Sequence, residues 1–395
     1  PDTARSTRNC QPITLSVQYE HLWTAIWWFD DLSLANDSYD DLAAFALKSE
    51  SAKNIEFPCN LMQAFASAVI HGHLTREEVK FDERTSALVA ALGEMSENRD
   101  RPNNRVEARI VVLMLKITIE LLNQNPSALP EIWKSFSEVL VDARGLGEFD
   151  AERFIKLVDV TGMVAGSDPS YGQLVEDLAT FVSERKSEGE GALILLSRAR
   201  RLDTSKHFEI IRLVGKAVVQ LSKREYVGSF IEGLHLLTIA YRSAGLLWAA
   251  RASCVFAAAS LAIEGEEESE LPITFIPTMK VFAWIALEIR CVPDFLNAIL
   301  MLNGALRAVP LADESKKKLC SEIRELEYAF ACQILNLDDA QLDRLNVLPD
   351  VLEGLGLIMA RTALLDSLGH RDLLRNDGSL PSEETDEDVD RMLSI

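Results

Sequence analysis

The sequence predicts an all-α protein in which successive helices pair antiparallel with their neighbours. Three observations carry that prediction. Apolar residues recur at helical spacing from Leu15 to Leu365. No strand-like alternation bounded by hairpin turns interrupts them. One two-helix pattern also occurs twice between Leu234 and Pro310: Leu234, Leu237, Ala240, Tyr241, Gly245, Leu247, Ala250, Cys254 and Ala257, then Phe282, Ile285, Ala286, Ile289, Phe295, Ala298, Leu302, Ala305 and Pro310. Small residues in such a pattern let two helix backbones approach while large ones fill the space beside them.

Taken in order, Leu15 to Phe29 reads as an unusually aromatic helix, with Trp23, Trp27 and Trp28 expected to pack into the core rather than to hold a partner. The acidic segment that follows (Asp30, Asp31, Asn36, Asp37, Asp40, Asp41) has the composition of a divalent-metal site, but Ser33 to Ser38 reads better as a turn and helix N-cap. Helices are expected near 39 to 50, 59 to 71 and 75 to 95, the last opened by the capping-box spacing Thr75-x-x-Glu78. His71-Gly72-His73 resembles a metal dyad, yet two histidines need a third ligand, and Gly72 is placed to end a helix.

Ser96 to Asn104 is a polar break and separates an N-terminal helical region (1–100) from a repeat array (101–370). Beyond it, Ile110, Leu113, Ile117 and Leu121 mark a deeply buried helix, and further helices are expected near 129 to 143, 150 to 163, 170 to 184 and 206 to 222. An imperfect copy of the two-helix pattern runs through Leu178, Ala179, Val182, Ala192, Leu196, Ala199 and Leu202. Glu264 to Glu270 reads as an acidic loop between the two clear copies. Amphipathic helices at 319 to 337 and 350 to 367 continue the array, the second ending at Gly369. Residues 371–395 read as an acidic flexible tail in which Met392, Leu393 and Ile395 follow six carboxylates.

The repeated residues, from Leu234 to Ala257 and from Phe282 to Pro310, resemble the tetratricopeptide repeat. The resemblance implies a right-handed α-solenoid of antiparallel helix pairs with divergent N-terminal helices. The sequence departs from the family where Thr238, Ala262 and Pro293 stand in place of its favoured Gly or Ala, Pro, and Gly. Ala250 and Ala298 are 48 residues apart, about 14 more than the roughly 34-residue family period, and the acidic stretch accounts for the excess. Such arrays hold a peptide or helix on the inner face of each first helix. By that frame Glu232, His235, Ile239 and Arg242 correspond to Lys280, Ala283, Leu287 and Arg290. His235, Arg242, Lys280, Leu287 and Arg290 are therefore the candidate partner-binding residues, with Arg242 and Arg290 stacked to receive carboxylates.

Composition narrows the function. The chain's 61 acidic against 40 basic residues, a formal charge of −21, oppose binding to nucleic acid or an anionic membrane, and Arg198, Arg200 and Arg201 read as a solvated helix face. Six cysteines without a CxxC pair suit a reducing compartment, no apolar run of about 18 residues was evident, and a cytoplasmic location is expected. Neither P-loop, GxSxG nor HExxH occurs. The expected function is a non-catalytic scaffold or regulatory subunit that binds a protein or self-associates, without cofactor or metal. The alternatives are a metal-dependent all-helical enzyme using Asp30 to Asp41 or His71 and His73, and a small-ligand sensor near Trp23 and Trp27.

Overall fold

A computed structural model of the chain describes residues 2–165, 168–268 and 270–376. Helices alone make up its regular structure; no strand occurs among the described residues. The packing divides after Leu202 into two compact units.

The first unit contains α1 (Asp2–Phe29), α2 (Leu32–Leu47), α3 (Ala52–Ile70), α4 (Phe81–Glu97), α5 (Pro102–Leu122), α6 (Leu129–Ala143), α7 (Ala151–Ala165), α8 (Pro169–Arg185) and α9 (Glu188–Arg201). Most helices pack on their sequence neighbours and, in several cases, on the helix after next, as α3 does on α5 and α6 on α8. The predicted burial of α5 has a physical reason, because it separates two cores. Ala108, Val111 and Leu115 join the core of α1 to α4, while Val106, Ile110, Leu113 and Ile117 join that of α6 to α8. The expected division near residue 100 falls inside this unit, where α4 and α5 pack together.

Local chemistry sets the ends. Asp168 accepts from the Ser170 N–H at 2.7 Å with Pro169 opening α8, and Ser187 accepts from the Glu190 N–H at 3.2 Å to cap α9. Glu188 and Glu190 in the first turn of α9, and Arg198, Arg200 and Arg201 in the last, complement its dipole. Two predicted starts are corrected. Asp31 accepts from Leu34 N–H at 2.9 Å and starts α2 at Leu32, so Ser33 to Ser38 lie within the helix. Thr75 and Glu78 do bond reciprocally, at 2.6 and 3.2 Å, but they close a turn before α4 rather than open that helix.

The second unit contains α10 (His207–Gln220), α11 (Val227–Ser243), α12 (Leu247–Glu268), α13 (Phe275–Glu288), α14 (Val292–Ala308), α15 (Asp313–Ile334), α16 (Asp339–Leu342), α17 (Pro349–Gly354), α18 (Ile358–Ser367) and α19 (Arg371–Asn376). A single core runs from α11 to α18, and α10 packs on α11. The single helix expected at 350 to 367 is broken into α17 and α18 by Gly356, whose φ of 74° needs no Cβ penalty. The acidic stretch is not wholly a loop: α12 continues through it to Glu268, glutamate being a good helix former. Likewise 371–376, assigned to the tail, form α19 with Leu374 buried. The remainder of the expected tail, 377–395, lies outside the described residues.

The two clear copies are α11 with α12 and α13 with α14, but their register differs from the expected one. In the first turn Gly245 N–H donates to Arg242 O at 3.0 Å and Leu246 N–H to Tyr241 O at 2.8 Å. In the second, Arg290 N–H donates to Leu287 O at 3.0 Å and Cys291 N–H to Ala286 O at 2.8 Å. Gly245 and Arg290, with φ of 73° and 55°, thus occupy one position, 45 rather than 48 residues apart. Arg242 corresponds to Leu287, not to Arg290. A three-residue slip turns a helix face by only about 60°, so either register buries an apolar set; the turns decide between them.

Candidate interaction surfaces

In this register the expected inner-face residues lie along α11 and α13 and bond to the next first helix. His235 Nε2 lies 2.8 Å from Thr278 Oγ1, whose own hydroxyl donates to Thr274 O at 2.8 Å, so the imidazole is the donor in that contact. Arg242 donates to both carboxylate oxygens of Glu288, at 2.5 to 3.2 Å. Lys280 pairs with Glu322 of α15 at 2.6 Å. The Leu287 side chain is buried, and its carbonyl accepts from Gln333 of α15 at 3.1 Å. Four of the five residues are thus joined into the α11, α13 and α15 packing, and the expected stack of Arg242 on Arg290 is absent. A shallow recess remains beside Ile239, Arg242, Val281 and Glu288.

Burial holds the His235 pKa below its usual value. A depressed histidine binds its proton more weakly in the folded than in the unfolded chain, so its contribution is complete above about pH 6.5 and is lost as pH falls through the folded value. Thermal unfolding at pH 7.5 and 5.5 should therefore show a smaller acid-side loss in His235→Gln than in the parent. An equal loss in both would exclude this imidazole as the cause.

Arg290 stands apart from the other four. It is exposed at the start of α14 and lines a groove of about 510 Å³ with Phe330, Cys332, Ile334, Leu337 and Arg344. The sequence reading did not single out Arg344.

An unanticipated apolar surface lies on α12. Its inner face (Ala250, Cys254, Ala257, Leu261) is buried in the core. Its outer face exposes Trp248, Ala252, Val255, Phe256, Ala259, Ala262 and Ile263, with Trp248, Phe256 and Ile263 at 66%, 64% and 61%. The fifteen rises from Trp248 to Ile263 make that stripe about 22 Å long. Arg251 forms a bidentate pair with Asp294 and so ties α12 to α14, where Leu300 and Met301, the counterparts of Val255 and Phe256, are also exposed. The guanidinium's hydrogen bonds hold the Asp294 pKa below the usual carboxylate range. Leu247–Glu266 is long and apolar enough to cross a membrane by length and composition, contrary to the sequence reading.

Other expectations meet the structure as follows. Trp23 packs against the first core, but Trp27, Trp28 and Phe29 are largely exposed, so core packing is corrected for all but the first. Asp40 and Asn36 of the acidic segment both accept hydrogen bonds from Arg84 of α4. His71 Nδ1 contacts Ser67 O at 2.8 Å, and Gly72 ends α3 with φ of 77°. Among the described residues no three His, Cys, Asp or Glu side chains are grouped to hold a metal ion. Arg198 is buried rather than solvated. It stacks 4.9 Å from the Tyr171 ring and, with Asp159, Ser197 and Arg201, lines a cavity of about 230 Å³ among α7, α8 and α9. Burial raises the Tyr171 pKa to about 12, which leaves its hydroxyl a donor to Val158 O at 2.7 Å.

No family model and no curated protein matches the chain. Among solved structures it is similar to one described as a circular tandem repeat protein with novel repeat topology and enhanced subunit contact surfaces. The identity is 14%, over 93% of each chain, and the TM-score is 0.29. A likeness that loose carries no argument about this chain.

Proposed function

We propose that the chain is a non-catalytic helical-repeat scaffold, built of antiparallel helix pairs, that holds a protein partner on the outer face of α12. One observation supports this above all: a helix already anchored in the core by Ala250, Cys254, Ala257 and Leu261 presents a second apolar face with no polar side chain from Trp248 to Ile263 except on its flanks. Apolar stripes of this length on a folded surface mark sites of association. Phe256 and Trp248 would be its aromatic anchors, with small Ala252, Ala259 and Ala262 allowing close approach.

On this reading the partner sits on the second helix of the pair, not in the inner groove expected from the family resemblance, where four of the five candidate residues are committed to helix-to-helix bonds. A protein fits the face better than a bilayer does. Arg251 and Asp294 sit beside it, Glu264 and Glu266 close its end, and the net charge of −21 is repelled by anionic lipid.

The test uses Phe256→Lys and Ile263→Lys together. Both positions are exposed, so the melting temperature should be unchanged. A partner recovered in stoichiometric amount by cross-linking in the native cell, or a dimer of the chain itself, should bind the variant at least about tenfold more weakly. Retention of every partner by the variant would overturn the reading, as would capture of the parent chain, but not the variant, by neutral lipid vesicles.

A further inference from the structure

The groove beside Arg290 joins two arginines to an apolar floor in an acidic molecule. Its floor is apolar, made by Phe330, Ile334 and Leu337, and Arg290 and Arg344 border it from opposite sides in sequence, one entering α14 and the other following α16. Both guanidiniums are exposed, and neither has an ion pair among the described residues. Arg290 also occupies the left-handed position that Gly245 takes in the preceding pair. Holding a side chain there costs about 1 kcal/mol relative to glycine, so the turn itself does not call for arginine.

One segment of the chain carries the complementary chemistry. Glu383, Glu384, Asp386, Glu387, Asp388 and Asp390 precede Met392, Leu393 and Ile395. Most of a surface with a formal charge of −21 repels that run, whereas two arginines free to form bidentate carboxylate bonds attract it. The apolar side chains that follow the acids suit the apolar floor. The segment follows α19, which ends at Asn376 and packs on α18, and α18 packs on α15, the helix that builds the floor. Six residues from Asn376 to Ser382 extend up to about 20 Å.

We propose that residues 383–395 occupy this groove within the same molecule, their carboxylates on Arg290 and Arg344 and Met392 and Leu393 on the apolar floor. The bound segment then competes with any acidic peptide for the groove, which makes it an internal occupant that a partner must displace. The inference is independent of the α12 surface.

Cys332 lines the groove and provides a native reporter; Cys320, on the same helix, is exposed and about 18 Å away along its axis. Full-length Leu393→Cys, treated with oxidised glutathione as the oxidant, should form an intramolecular disulfide from the introduced thiol to Cys332 in preference to Cys320, read by peptide mapping. Adding Arg290→Gly and Arg344→Ser should reduce that yield at least about fivefold, as should raising the salt to about 1 M. Arg290→Gly alone should leave the melting temperature unchanged or higher, which separates loss of docking from loss of fold. Capture by Cys320 at the same rate, a disulfide joining two chains, no disulfide, or an undiminished yield in the arginine variant would each overturn the proposal.

Discussion

Replacing Gly191 by alanine should destabilise the first unit by about 3 kcal/mol, the upper part of the range for overpacking a close helix contact. Gly191 lies in the first turn of α9, where that helix crosses α8. A Cβ there would stand 2.5 Å from the carbonyl oxygen of Ala179 and closer still to the Ser183 hydroxyl. Ser183 can rotate, although it would give up its 2.8 Å hydrogen bond to Ala179 O. The carbonyl belongs to the α8 backbone and cannot move unless the helix does. Displacing α8 from α9 would loosen Leu178, Val182 and Leu196, all fully buried, and open the cavity around Arg198. Gly215 is the control, since nothing lies within 4 Å of a Cβ built there on α10; Gly215→Ala should stabilise by roughly 0.5 to 1 kcal/mol through helix propensity. Thermal unfolding followed by circular dichroism distinguishes the two. Ser183→Ala added to Gly191→Ala should restore only part of the loss, and complete rescue would show that the backbone contact is unimportant.

Gly191 also illustrates what one chain can and cannot disclose. Helix existence was legible because it depends on local spacing: the predicted 129 to 143 matches α6, and Gly72, Gly245 and Gly369 all adopt the left-handed cap conformation. The burial of Leu178, Val182, Ala192 and Leu196 in the imperfect copy was legible for the same reason. Register was harder, since an apolar face tolerates a three-residue slip; only the capping bonds at Gly245 and Arg290 resolve it. The α12 surface was hidden by its own hydrophobicity. A helix apolar all round reads as fully buried, and sequence periodicity cannot reveal which of its two faces lacks a neighbour. Trp27 and Trp28 were misassigned on the converse ground, that large aromatics at helical spacing usually lie inside. Arg198 was read as solvated because its burial is a property of α7 and α8, distant in sequence. Three of the inner-face candidates, His235, Arg242 and Lys280, are engaged by Thr278, Glu288 and Glu322, one helix pair further on, which sequence spacing does not reveal.

The second large effect is expected at Arg84, which gives the acidic segment after α1 its role. Arg84 of α4 is buried, and its Nε donates to Asp40 at 2.9 Å. One terminal nitrogen donates to the Asn36 side chain at 2.5 Å and to Val79 O at 3.1 Å, the other to Asn36 O at 3.2 Å. Its guanidinium lies 4.3 Å from the Tyr39 ring centre. Arg84→Met keeps most of the volume but leaves these carbonyl acceptors without their donor, a loss of about 3 kcal/mol, or roughly 6 to 12 °C in melting temperature for a unit of this size. The Arg84 hydrogen bond also holds the Asp40 pKa below its usual value. A carboxylate so depressed contributes stability above its unfolded pKa of about 3.9 and loses it as pH falls through the folded value, so part of the difference between parent and variant should shrink below about pH 4. The same experiment bears on the metal-enzyme alternative. A positive guanidinium lodged between Asn36 and Asp40 occupies the place a divalent cation would need. If millimolar magnesium or manganese raises the melting temperature of the parent, and more so of Arg84→Met, the carboxylates bind metal after all; unchanged melting in both leaves the segment as the anchor that fixes α2 to α4.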